Sequence, residues 1–141
     1  MTIARSNILS RNLPIPTTEK VTYASVTMSG CVNYDVLDQQ FLWALGNTSA
    51  NWGLNFRGRA GVSLNSIMRA GQALTCVVVV NNGGTAYFNS SVLIDSTAVS
   101  VCWVGGTAPS QGDTNSKNLW SYTVIKVSDA VFQTIGQQLK L

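Results

Sequence analysis

"NWGLNFRG", residues 51 to 58, decides the fold class. Trp52, Leu54 and Phe56 fall on one side of an extended chain, and Asn51, Gly53, Asn55 and Arg57 fall on the other. A period of two over this length is the pattern of a half-buried β-strand, because successive side chains of a strand point to opposite faces. No helical spacing accommodates it.

Working outward, the same signal recurs. "KVTYASVTM" from Lys20 alternates Val21, Tyr23 and Ser25 against Thr22, Ala24 and Val26, and "CVNYDVLD" aligns Val32, Tyr34 and Val36. "QFLWALG" is nearly all apolar, as a buried strand is. "ALTCVVVV" and "TAYFNS" flank "NNGG", a strong short hairpin signal. "SVLID", "TAVSVCWV", "LWSYTVIKV" and "AVFQTIG" complete the series. The one helix candidate lies within residues 58–72, where Leu64, Ile67 and Met68 have i, i+3, i+4 spacing, Ser63 is placed to cap and Gly71 to close. Short strands at regular spacing, with no long helices between them, predict an all-β fold. The class is an antiparallel β-sandwich, jelly-roll-like, with at most one short helix. Residues 20–141 form this single domain. Residues 1–19 carry no period, and Pro14 and Pro16 hold them extended. They read as an arm whose Ile3, Ile8, Leu9, Leu13, Pro14, Ile15 and Pro16 are the docking candidates.

The chain has 141 residues, 45% of them hydrophobic, enough for one real core. Charged residues are only 11%, against about 25% in ordinary soluble domains. A surface so poor in charge points to contact with other subunits or to an uncharged polar coat. The net charge of +3 is scattered, with Arg57 and Arg59 the close pair, so a nucleic-acid footprint is missing. Cys31, Cys76 and Cys102 have no CxxC spacing and suggest neither a disulfide framework nor a zinc site. Cys76 and Cys102 sit in apolar runs and read as small buried side chains, consistent with assembly in a reducing cytoplasm. The longest apolar run, Leu74 to Val80, is too short for a membrane span, and the N-terminus has no secretory h-region.

Chemistry finds little to work with. The sequence has no histidine, which removes the usual general base and every Ser-His or Cys-His constellation. The carboxylates are Glu19 in the arm and Asp35, Asp38, Asp95, Asp113 and Asp129, none in a recognisable catalytic or metal-binding motif. They read as turn and strand-end residues, and neither an enzyme nor a cofactor or metal is expected.

"CWVGGTAPSQGD", residues 102 to 113, resembles a glycine loop for phosphate. Such a loop precedes a helix and carries a lysine at fixed offset, whereas Pro109 and then another strand follow here. The glycines read as a corner and Trp103 as a core anchor, with residues 107–118 exposed. Gly-Gly-Thr-Ala also occurs at residues 83–86, and unmatched flanks make this convergence on one turn chemistry. Trp52 and Trp103 sit on apolar faces, while Trp120 lies between loop residues and is expected to be exposed. A surface recognition loop would then comprise Thr107, Ser110, Gln111, Asp113, Asn115 and Trp120.

Four segments occur in a familiar order: "NWGLNFRG", "SLNSIMRAGQALTCVVVVNNGGTAYF", "LIDSTAVSVCWVGGTAPSQGD" and "YTVIKVSDAVFQTIGQQLKL". From about Val32 to Leu141 the chain resembles the C-terminal β-rich module of tailed-phage virion appendage proteins, the cyanophage-like tail fibres and their relatives. That resemblance implies a non-enzymatic structural protein of the virion, assembled in the host cytoplasm and homotrimeric, with other capsid, neck or tail proteins as partners. It departs from the family in having only a short arm where a long shaft usually stands. This suits a knob, an appendage or a capsid decoration protein. A glycan-binding host-receptor module on the same fold is the alternative.

Overall fold

The computed structural model describes residues 20–141, so the arm and its docking candidates lie outside the described residues. Two sheets pack face to face as an all-β sandwich. The strands are β1 (Val21–Ala24), β2 (Gly30–Asp35), β3 (Phe41–Asn47), β4 (Trp52–Arg57), β5 (Ala73–Asn81), β6 (Asn89–Ile94), β7 (Thr97–Ala98), β8 (Val101–Trp103), β9 (Lys117–Ser128) and β10 (Val131–Lys140). The six-stranded sheet runs β1-β3-β5-β9-β10-β8, and the four-stranded sheet runs β2-β4-β6-β7.

The sandwich and the strand content agree with the sequence reading; the pairing departs from it. Neighbours β1/β3, β3/β5, β2/β4, β4/β6 and β8/β10 are parallel, and only β5/β9, β9/β10 and β6/β7 are antiparallel. The cause is the route of the chain. From β1 to β6 it alternates between the sheets, through short links at residues 25–29, 36–40 and 48–51 and longer ones at 58–72 and 82–88. A chain that crosses to the other sheet and returns has reversed twice, so each strand lies parallel to the one two places earlier. A strand in the opposite sheet therefore supplies the crossover that parallel pairing needs. The expected hairpin at "NNGG" is accordingly absent. β5 and β6 lie in different sheets, and residues 82–88 form a corner between them. Asn82 is buried at that corner, its side chain meeting Thr48 Oγ1 and donating to the Tyr87 carbonyl at 2.9 Å. Asparagine here makes a core junction, where a type I′ turn was expected.

True hairpins occur elsewhere. β6 and β7 are joined through Asp95 and Ser96, at φ 49° and 67°. Two successive residues with positive φ match a type I′ turn. β9 and β10 are joined through Asp129 and Ala130.

The core forms where the inner faces meet. Trp52, Leu54 and Phe56 of β4 are fully buried, as their alternation predicts, against Tyr34, Val78, Trp120, Tyr122 and Val124. Trp52 and Trp120 meet edge to face with centroids 5.5 Å apart, and Phe56 meets Tyr122 at the same separation. The single helix among the described residues, α1 (Leu64–Ile67), is where the sequence placed it, with Ser63 Oγ accepting from the Ser66 amide at 3.1 Å. Two further groups hold its ends. The Asp95 carboxylate accepts from the amides of Leu64 and Asn65 at 2.6 and 2.9 Å, and buried Lys126 donates from Nζ to the carbonyls of Asn65 and Met68 at 2.6 and 2.7 Å. Free backbone groups at both ends of a short helix are thereby satisfied.

Candidate functional site

The two sheets differ in what they show outward. On the four-stranded sheet the in-register pairs Asn33/Asn55 and Asp35/Arg57 form polar ladders. Asn55 Nδ2 donates to Asn33 Oδ1 at 2.9 Å, and Arg57 Nε donates to Asp35 Oδ1 at 2.6 Å. The hydrogen bond to Asp35, with its charge, holds the Arg57 guanidinium pKa above its ordinary value.

The outer face of the six-stranded sheet carries an apolar row instead, beside polar positions such as Thr75, Ser121, Thr123 and Gln137. Registered neighbours on this face include Val21, Phe41 and Val77, then Tyr23, Trp43, Val79 and Leu119, and on β10 Ile135 and Leu139. Tyr23 stands edge-on to Trp43 at 5.5 Å, and Phe41 lies 6.3 Å from the same ring. Val79 is 1% exposed yet stands outside the core cluster, since its register partners Trp43 and Leu119 flank it on the outer side. Tyr23, Ile135 and Leu139 remain exposed, at 64%, 42% and 44%. The apolar part is a row of registered side chains, Tyr23, Trp43, Val79, Leu119 and Leu139, that crosses five of the six strands. Exposed apolar surface of this kind marks an interaction site. "FLWALG" and "VVVV" carried its signal, because strands apolar on both faces read as unbroken runs.

The predicted recognition loop is partly assembled. Thr107, Ser110 and Gln111 are exposed on the link between β8 and β9, and Asn115 is exposed at its far end, at φ 50°. Asp113 is half-buried and committed to structure, accepting from Asn118 Nδ2 at 2.6 Å and lying 3.4 Å from Lys140 Nζ. Trp120 is a correction. It is fully buried between Trp52 and Trp103, because its place on β9 alternates with outward Leu119 and Ser121. It offers no platform to a ligand. Trp103 is half-buried and packs against the core, as expected of an anchor. Gly105 and Gly106 turn the chain at φ 89° and 80°, whereas Gly83 and Gly84 in the other Gly-Gly-Thr-Ala have no positive φ, so the repeat has no common conformation.

Several of the remaining side chains with chemical potential are engaged structurally. Asp35 pairs with Arg57, Asp95 holds α1, and Asp129 accepts from Asn65 Nδ2 at 2.9 Å. Cys76 is buried, and burial pushes its thiol pKa up to about 12 against the opposing effect of a hydrogen bond with Tyr34. Cys102, expected to be buried, is exposed. On the three-residue strand β8, Val101 and Trp103 turn inward, and alternation sends Cys102 out beside Ile135. Compared with family models, curated proteins and solved structures, the chain finds no match in any of the three.

Proposed function

We propose that this chain is a non-enzymatic structural subunit of a phage virion that self-assembles, as a homotrimer, through the outer face of its six-stranded sheet. The observation that carries the assembly is the contrast between the two outer faces, one laddered with Asn, Asp and Arg, the other crossed by an apolar row from Tyr23 to Leu139. A chain with 11% charged residues does not leave such a face to water. The virion setting rests on the likeness of residues 32–141 to appendage modules, and the arm is the attachment to the particle. Burial of Trp120 takes away the platform on which the glycan-receptor alternative stood.

Light scattering on the purified full chain tests this reading. The expected mass is three times the 15.1 kDa chain. Ile135→Lys combined with Leu139→Lys, both at exposed positions, reduces it to one chain with the circular dichroism of the fold retained. A wild type that stays monomeric at every concentration overturns the assembly, and electron microscopy of particles lacking the protein decides the virion setting.

A further inference from the structure

The side of the sandwich opposite β1 ends in short strands. β7 pairs only with Leu93 and Ile94, and β8 has three residues, so among the described residues no strand covers the first half of β6 on that side. A pocket of about 160 Å³ lies between β6 and β8. Val92 and Val99 line it beside the four-stranded sheet, Val101 and Trp103 line it on β8, and Ala108 and Pro109 border it on the link to β9.

Asn89 also lines this pocket, and a bulge buries it there. Trp52 pairs with Asn89 but Gly53 pairs with Ser91, so Ser90 is an extra residue in β6. Counting back in twos from buried Ile94 and Val92 would turn Ser90 inward. The extra residue shifts the phase, leaving Ser90 and Ser91 exposed and Asn89 only 3% exposed. Bulges re-aim side chains in this way. Asn89 Nδ2 donates to the carbonyls of Ser91 and Trp52 at 3.1 and 3.4 Å. Carbonyls only accept, so the amide nitrogen must face them, and Oδ1 is the end without a partner among the described residues. A buried acceptor left unpaired is costly, and here it calls for a donor.

Volume and lining then define the ligand. A cavity of roughly 150 Å³ with apolar walls takes a benzene-sized ring, and Phe88 and Trp103 offer aromatic contacts to one. No charged residue lines the pocket, so a charged ligand would be desolvated without a counter-ion. A sugar carries hydroxyls all around its rim, and the valines would leave most of them unpaired. We propose that this pocket binds a small phenol, its ring between the valines and Trp103 and its O–H donating to Asn89 Oδ1. The site lies between β6 and β8 and not on the sheet face through which copies assemble, so the two readings stand or fall separately.

Titration of phenol into the full chain, followed by NMR of the valine methyls and tryptophan indoles, tests it. Saturable shifts at Val92, Val99, Val101 and Trp103 are expected. Benzene, which has no donor, is expected to bind about tenfold more weakly. Ala108→Phe, at an exposed position on the border of the pocket, puts a ring of its own into the space. It should abolish phenol binding with the circular dichroism of the fold retained. Shifts that do not saturate, or that fall on other residues, overturn the pocket, and so does an unchanged phenol affinity in Ala108→Phe. Equal affinities for phenol and benzene overturn the role of Asn89. N-acetyltyrosinamide bound as tightly as phenol overturns the free small molecule as occupant, because its backbone exceeds a space one ring in size.

Discussion

The indole of Trp103 lies over Gly136, its partner across the parallel β8/β10 pair, so closely that a Cβ on Gly136 would stand 2.8 Å from Cζ3. The missing side chain lets an edge-strand tryptophan reach inward to Trp120 and Tyr122, each 6.1 Å away. Gly136→Ala is expected to cost about 1–3 kcal/mol by overpacking. The same Cβ would stand 2.7 Å from Val101 Cγ1, so a Trp103→Leu background should remove only the part of that cost that passes through the indole. Urea titration of the double-mutant cycle checks it; an unchanged cost would show that the strain lies elsewhere.

Lys126 is buried and donates to the carbonyls of Asn65 in α1 and Met68 just beyond it, with no carboxylate partner among the described residues. Lys126→Met leaves both carbonyls without these donors while removing a buried charge, and we expect a net loss of about 1–2 kcal/mol. The amides of α1 should then exchange faster than those of β9, which the clamp does not hold. A stability equal to that of the wild type would mean that the ammonium's desolvation offsets its hydrogen bonds.

Thiol chemistry should separate the three cysteines. Cys31 and Cys102 are exposed and Cys76 is buried. A disulfide reagent at pH 8 is expected to label Cys31 and Cys102 in the native protein and Cys76 only after denaturation. Peptide mapping identifies the sites, and rapid native labelling of Cys76 would contradict its place beneath the sheet.

Alkali should destabilise the fold. Burial raises the Cys76 thiol from 9.0 to about 12, and burial also raises the Tyr122 phenol well above 10.0. Between these values the unfolded chain releases protons that the folded chain keeps, so rising pH favours unfolding. The denaturant midpoint is expected to fall from about pH 9 upward. Cys76→Ala should flatten the first part of the fall, leaving the tyrosine to act at higher pH. A midpoint constant from pH 8 to 11 would refute both shifts.

Local patterns in the sequence were faithful wherever the structure depends on neighbours along the chain. The alternation at residues 51–58 fixes which side of β4 is buried, and Ser63 begins α1 because a hydroxyl there reaches an amide three residues on. Trp120 misled because "NLWSYT" resembles a loop exit, although Asn118 is itself buried and already part of β9. Cys102 misled because an apolar run does not disclose which of its members turn outward at an edge.

By itself, then, the sequence determined an all-β chain, most of its strands and the helix after Ser63, since these follow from side-chain identity and period, whereas "TAYF" is no strand and "TAVSVCWV" divides between two sheets. Tertiary structure alone decided that β1 to β6 coil between two sheets with parallel neighbours, and that an apolar row crosses one outer face while polar ladders line the other. The period of a strand is the same whichever neighbour it pairs with and whichever sheet it joins. Those choices depend on links that cross the core and on contacts between residues far apart in the chain, which no local pattern encodes.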